Sequence, residues 1–339
     1  MDKFNDILTD VYKEFIVPLT ERALVFFTPS DGLYIGYLLT ASFIAIIYFA
    51  WCLRSWNMIA AAKAAVREHN FRSRSVVDDI KLFFCDKVLL GFVYTFVIGA
   101  AYFFKHKTIL LLSLFGLPAS HIVPGFYLSI LLTVGALLAF DFAVFFEHYL
   151  SHKVMILWEF HKIHHIAEEL NPLTAYRSHP VNQCCFILMA SLFSGSYSGV
   201  ISFFFDTTHA YLFFAGQNII MFLLLLFGLN LQHSRVFIYY PSVLRRIFVS
   251  PAYHQLHHSS NKNHHDINFG FIFSFWDYLF KVQYLPVKRE HLTFGVSGER
   301  YESYAGIKNT YVTPFRRAYK RIVKRRQCYK KSPPKQDIV

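Results

Sequence analysis

The sequence predicts an all-α integral membrane protein, a bundle of about five transmembrane helices joined to a helical cap. Three observations carry that expectation. Only 17% of the residues are charged and 54% are hydrophobic, whereas a soluble domain carries about 25% charged residues. Phenylalanine alone supplies 38 residues, a natural usage for helices that face lipid. Apolar runs close to the ~20 residues a spanning helix needs recur along the chain.

The runs are taken in order. The first extends from Leu33 to Leu53, the second from Val88 to Phe104 and the third from Phe126 to Phe146. The fourth covers Cys184 to Phe205 and the fifth Tyr211 to Leu229. Ile109 to Leu117 is too short to span and reads as a re-entrant or interfacial piece before Pro118. Lys and Arg concentrate after the first run (Arg54, Lys63, Arg67, Arg72, Arg74, Lys81, Lys87) and near the end (Arg316, Arg317, Lys320, Arg321, Lys324, Arg325, Arg326). Five spans put both segments on one side, and the positive-inside rule makes that side cytoplasmic. The acidic stretch 1–32 then lies outside, and residues 147–183 and 230–314 lie inside. Tyr149 to Glu169 reads as a helix turning off the membrane, stopped by Asn171-Pro172. The domain reading is a membrane region with two spans and a basic cytoplasmic loop 54–87 within residues 1–125, a catalytic region 126–295, and a basic tail 296–339 whose SPPKQ end is expected to be disordered.

The charge and the cysteines narrow the chemistry. The net charge of +12 comes without a nucleic-acid motif, so attraction to anionic lipid explains it more simply. The five cysteines form no Cys-x-x-Cys pair, which argues against a thiolate zinc site. The N-terminus lacks a basic region followed by an apolar core, so no cleaved signal peptide is expected.

Histidine carries the strongest signal. His148 and His152 sit in EHYLSH, His161, His164 and His165 in FHKIHH, and His254, His257 and His258 in YHQLHH. Residues three and four apart share one helix face, so each cluster is a multidentate imidazole surface. All three fall on the predicted cytoplasmic side. Eight imidazoles exceed what one ion uses, so two ions, each with about four nitrogens and an open position, fit better. Asp141, two turns before His148, is expected to support the ligands, as are Glu147, Glu159 and Asp266, because a metal-bound imidazole usually donates its other N–H to such a group. Phe142, Phe145 and Phe146 are either wall residues or lipid-facing packing.

The segments EHYLSHKVMILWEFHKIHH, NPLTAYRSHP and SPAYHQLHHSSNKNHHDINFGFIFSFWDYLF together resemble the fatty acid hydroxylase and sterol desaturase superfamily over about residues 134–295. The resemblance implies a membrane non-haem di-iron oxygenase, with zinc possible in isolated protein. Such an enzyme uses O2 and two electrons to hydroxylate or desaturate a membrane lipid such as a sterol, fatty acyl or ether-lipid chain. It carries over the eight box histidines as ligands, adds His233 in NLQHS as a ninth, and marks His179 in RSHP as a supporting group. No catalytic residue beyond the ligands is implied. Two positions depart from many relatives, Tyr149 where they carry Arg and Lys281-Val282 where they carry Gly-Thr. No flavin, nicotinamide or haem fingerprint is present, so electrons are expected from a separate ferredoxin, or from a b-type cytochrome with its reductase. A zinc-dependent membrane hydrolase would want HExxH, which is absent. A metal transporter would place His or Asp in the middle of several spans.

Overall fold

The computed structural model describes residues 24–331. The acidic positions Asp2, Asp6, Asp10, Glu14 and Glu21 and the SPPKQ end lie outside the described residues. The helices are α1 (Ile35–Cys52), α2 (Met58–Glu68), α3 (Arg74–Phe84), α4 (Gly91–Leu114), α5 (Phe126–Lys153) and α6 (Met155–His165). They continue with α7 (Pro180–Phe204), α8 (Ile219–Leu226), α9 (Pro251–His257), α10 (Phe275–Leu279) and α11 (Gly306–Lys331). A two-stranded hairpin, β1 (Phe213–Phe214) with β2 (Gln217–Asn218), precedes α8. The protein is thus mostly helical. Among the described residues three helices, α1, α5 and α7, are long and apolar enough to cross a membrane.

Local chemistry sets the helix starts. Asn57 and Ser73 accept hydrogen bonds from Ala60 N and Val76 N at the heads of α2 and α3, satisfying amides that have no intrahelical partner. Pro180 and Pro251 open α7 and α9 at the position where a missing N–H costs nothing. Their caps are His179 and Ser250. Along the bundle α4 lies on α7 through Gly195 and Gly199. A Cβ at these positions would stand 2.6 Å from Ala101 O and 2.7 Å from Lys105 O, so only glycine permits the approach.

The expected layout is corrected in three places. Tyr211 to Leu229 is not one spanning helix. Ala215 and Gly216 both take positive φ (48° and 81°), the demand of a two-residue hairpin turn, and Asn218 then caps the eight-residue α8. The run Ile109 to Leu117 is not a separate piece, because α4 continues to Leu114. The helix expected from Tyr149 breaks at Val154, whose extended backbone (φ −93°, ψ 108°) separates α5 from α6. Within the basic tail lies α11, where Arg317 grips Glu299 at 2.7 Å and Arg321 pairs with Glu159 of α6.

Candidate metal centre

Four pieces of chain bring nine imidazoles together. His148 and His152 project from the last turns of α5, and His161, His164 and His165 from α6. His254 and His257 lie on α9, with His258 as its C-cap. His233 ends the 3-10 turn Leu229–His233, which Gly228 introduces at φ 91°. The rings sort into two groups. His148, His152, His161, His165 and His257 form one, and His164, His233, His254 and His258 the other. Within each group one nitrogen per ring lies within 4.8 Å of all the others.

The outer hydrogen bonds decide which nitrogen points inward. His148 Nδ1 donates to Phe269 O at 2.9 Å, and His257 Nδ1 to Ile267 O at 2.7 Å. His161 Nδ1 donates to Asn182 Oδ1 at 2.9 Å. A carbonyl accepts only, so each of these rings carries its proton on Nδ1 and aims the Nε2 lone pair inward. The Nε2 of His148 has no hydrogen-bond partner. In the same group His165 Nε2 lies 3.1 Å from His152 Nε2, 3.2 Å from His161 Nε2 and 3.1 Å from His257 Nε2. The second group repeats this, with 3.2 Å for His164–His233 and 3.1 Å for both His233–His254 and His254–His258. Ring nitrogens this close repel wherever both present a lone pair, and a cation between them removes the repulsion, so the donor set fits metal ions.

Electrostatics favours the ligating state. Burial holds His161 down to about 4. Burial, then neighbouring imidazoles, keeps His164, His165, His233, His254, His257 and His258 well below the ordinary histidine value. These rings are therefore neutral near pH 7, and only a neutral ring offers its lone pair to a metal.

The supporting groups differ from those the sequence suggests. Asp141 reaches no imidazole. Its carboxylate accepts from Ile272 N (2.8 Å), Phe273 N (3.2 Å) and Trp276 Nε1 (2.9 Å), because the segment after the third histidine box folds back over α5. His179 joins neither group. Its Nδ1 caps α7 at Val181 N and its Nε2 bonds Tyr311 O. Asp266 Oδ1 stands 3.6 Å from His152 Nδ1, beyond hydrogen-bond length, and Oδ2 pairs with Lys153 at 3.1 Å. Glu159 holds Lys162 and Arg321. Glu147 does act behind the cage: it accepts from Asn182 Nδ2 at 2.6 Å and from Ser151 Oγ at 2.7 Å, which fixes the amide that orients His161. Asn182 has no sequence signal, since only the fold carries it to His161. The same holds for the carbonyls of Ile267 and Phe269. They are aimed by a loop with Asp266 and Asn268 at positive φ (both 59°) and by Asp277, which accepts from Phe269 N and Gly270 N.

Two cavities meet the cage from different directions. One of about 510 Å³ reaches His148, His161, His164, His233 and His254, with Val144, Phe186, Ile187 and Phe271 as its apolar wall. The other, of about 480 Å³, reaches His152, His165 and His257 past Trp158 and Lys162. Phe142, Phe145 and Phe146 line neither cavity; Phe142 stacks on Phe146, and the cluster meets Trp276, Phe193 and Phe280 edge to face.

Residues 133–282 match the family model described as fatty acid hydroxylase. The matched stretch begins inside α5, ends just beyond α10 and contains all nine histidines. No curated protein and no solved structure matches the chain.

Proposed function

We propose that this chain, which belongs to the fatty acid hydroxylase family through residues 133–282, is a multi-pass membrane oxygenase that hydroxylates or desaturates a lipid. Its centre would hold two iron ions and open toward the cytoplasm. The observation that carries this reading is the convergence of nine imidazoles into groups of five and four. Five nitrogens exceed a tetrahedral shell. Structural zinc is almost always four-coordinate, so a set of five supports iron over structural zinc.

When bound, the ions would supply two-electron activation of O2 and attack on an unactivated C–H bond. The residues do the rest. Asn182, held by Glu147 and Ser151, keeps His161 in one tautomer. The carbonyls of Ile267 and Phe269 do the same for His257 and His148. Val144, Phe186, Ile187 and Phe271 offer an apolar seat for hydrocarbon and limit water beside the centre. The electrons come from a separate ferredoxin or b-type cytochrome system, since the sequence carries no redox-cofactor fingerprint of its own.

Oxygen uptake by purified protein in lipid nanodiscs tests the reading. Iron-loaded protein given a chemical reductant should consume O2 and yield oxidised lipid, and His161→Ala should do neither. Protein that carries only zinc and hydrolyses lipid esters would sink it.

A further inference from the structure

A third cavity lies deeper along the helices. It has about 570 Å³ and is bounded by Leu137 and Phe140 of α5, Ser194 and Tyr197 of α7, and Met221 and Leu225 of α8. Phe271 lines both this chamber and the one that reaches the histidines. The same division is marked by Phe140, on the far side, and Phe186, on the metal side, whose rings meet edge to face at 6.4 Å.

The backbone carrying Phe271 is fixed on each flank. Gly270 N donates to Asp277 Oδ2 at 2.8 Å, and Ile272 N donates to Asp141 Oδ1 at 2.8 Å. Phe271 O itself accepts from Gln232 Nε2 at 2.8 Å. Asp141 is a fully buried carboxylate in a helix apolar enough to span a membrane, an expensive placement that is usually functional. Its work here is to hold the segment that presents Phe271.

We propose that the two chambers form one lipid site, with the reacting carbon beside the histidines and the far end of the hydrocarbon beyond Phe271, which limits how much chain enters. The inference rests on the reading of the histidine centre as a lipid-oxidising site. Length identifies the ligand class. From His148 back to Leu137 on α5 the helical rise gives about 16 Å. That is close to half of the ~30 Å hydrocarbon core of a bilayer, the reach of a hydrocarbon chain from one leaflet. The far chamber presents a mainly apolar surface, as a hydrocarbon tail requires, with Gln217 and Asn218 among the polar groups that also line it.

The test uses iron-loaded protein in nanodiscs and palmitic acid carrying a photoreactive diazirine on its terminal carbon. In the wild type, adducts should fall on the segments bearing Leu137, Ser194 and Met221. Phe271→Trp should lower that labelling about tenfold, the scale on which an apolar pocket rejects a poorly fitting methylene, and move the adducts to Phe186 and Ile187. Met221→Trp fills the far chamber without altering Phe271 and should produce the same loss. Retained iron in both variants separates this outcome from misfolding. Adducts confined to the metal-side chamber or to outer helix faces in the wild type would overturn the proposal, as would far-chamber labelling unchanged by both substitutions. Labelling needs no turnover. Protein that labels as expected yet consumes no O2 would refute the oxygenase reading alone, and active protein without far-chamber adducts would refute the chamber alone.

Discussion

His161 is held by an amide that the sequence gives no reason to single out. Asn182→Ala removes the acceptor of its Nδ1–H while leaving all nine rings in place. Loss of such a partner typically costs about 10–100-fold in metal affinity or activity, so oxygen uptake and iron retention during dialysis should both fall on that scale. His179→Ala should behave differently. Its ring caps α7, so iron content should stay at the wild-type level while thermal stability drops by about 1 kcal/mol; loss of iron would return His179 to the centre. The histidine boxes were legible because HxxxH and HxxHH place rings on one helix face within a few residues. The role of Asp141 was not legible, because a buried carboxylate serves an imidazole or a backbone amide equally well, and only the return of residues 272–276 over α5 decides between them. Asn182 was invisible because its partner lies 21 residues away in sequence.

Among the elements, α10 ends in a Schellman arrangement. Val282 N donates to Asp277 O at 2.8 Å and Lys281 N to Tyr278 O at 3.1 Å, with Lys281 at φ 59°. This conformation suits glycine. Lys281→Gly should therefore raise stability by about 1 kcal/mol, the left-handed cost of a side chain less the entropy of glycine; a lower unfolding midpoint would contradict it. Gly199→Leu should instead part α4 from α7 and lower the midpoint, since Lys105 O leaves no room for a Cβ. Helix existence was legible from apolar runs of spanning length. The break before α8 is masked by hydropathy, although Ala215-Gly216-Gln217-Asn218 supplies turn residues within the apolar run. Hydropathy summed over the run hid four residues that backbone geometry obeys.

For the molecule as a whole, the cage links stability to pH. His161 has a folded value of about 4 against an ordinary value near 6.5, so between these the unfolded chain binds more protons than the folded one. Stability of metal-stripped protein should be full above about pH 6.5 and decline as pH falls toward 4. A midpoint that is flat or rising across that window would show that the imidazoles are not buried together. The cage also joins segments distant in sequence. The spacing within each box was readable, but the division into five and four was not, because it depends on α6 supplying rings to both groups and on His233 arriving from the turn after α8. Metal stoichiometry of the purified iron-loaded protein is the most direct measurement of that division. Two ions per chain in the wild type and one in His233→Ala are the expected values; a single ion in the wild type, or a stoichiometry untouched by His233→Ala, would contradict the two-ion cage.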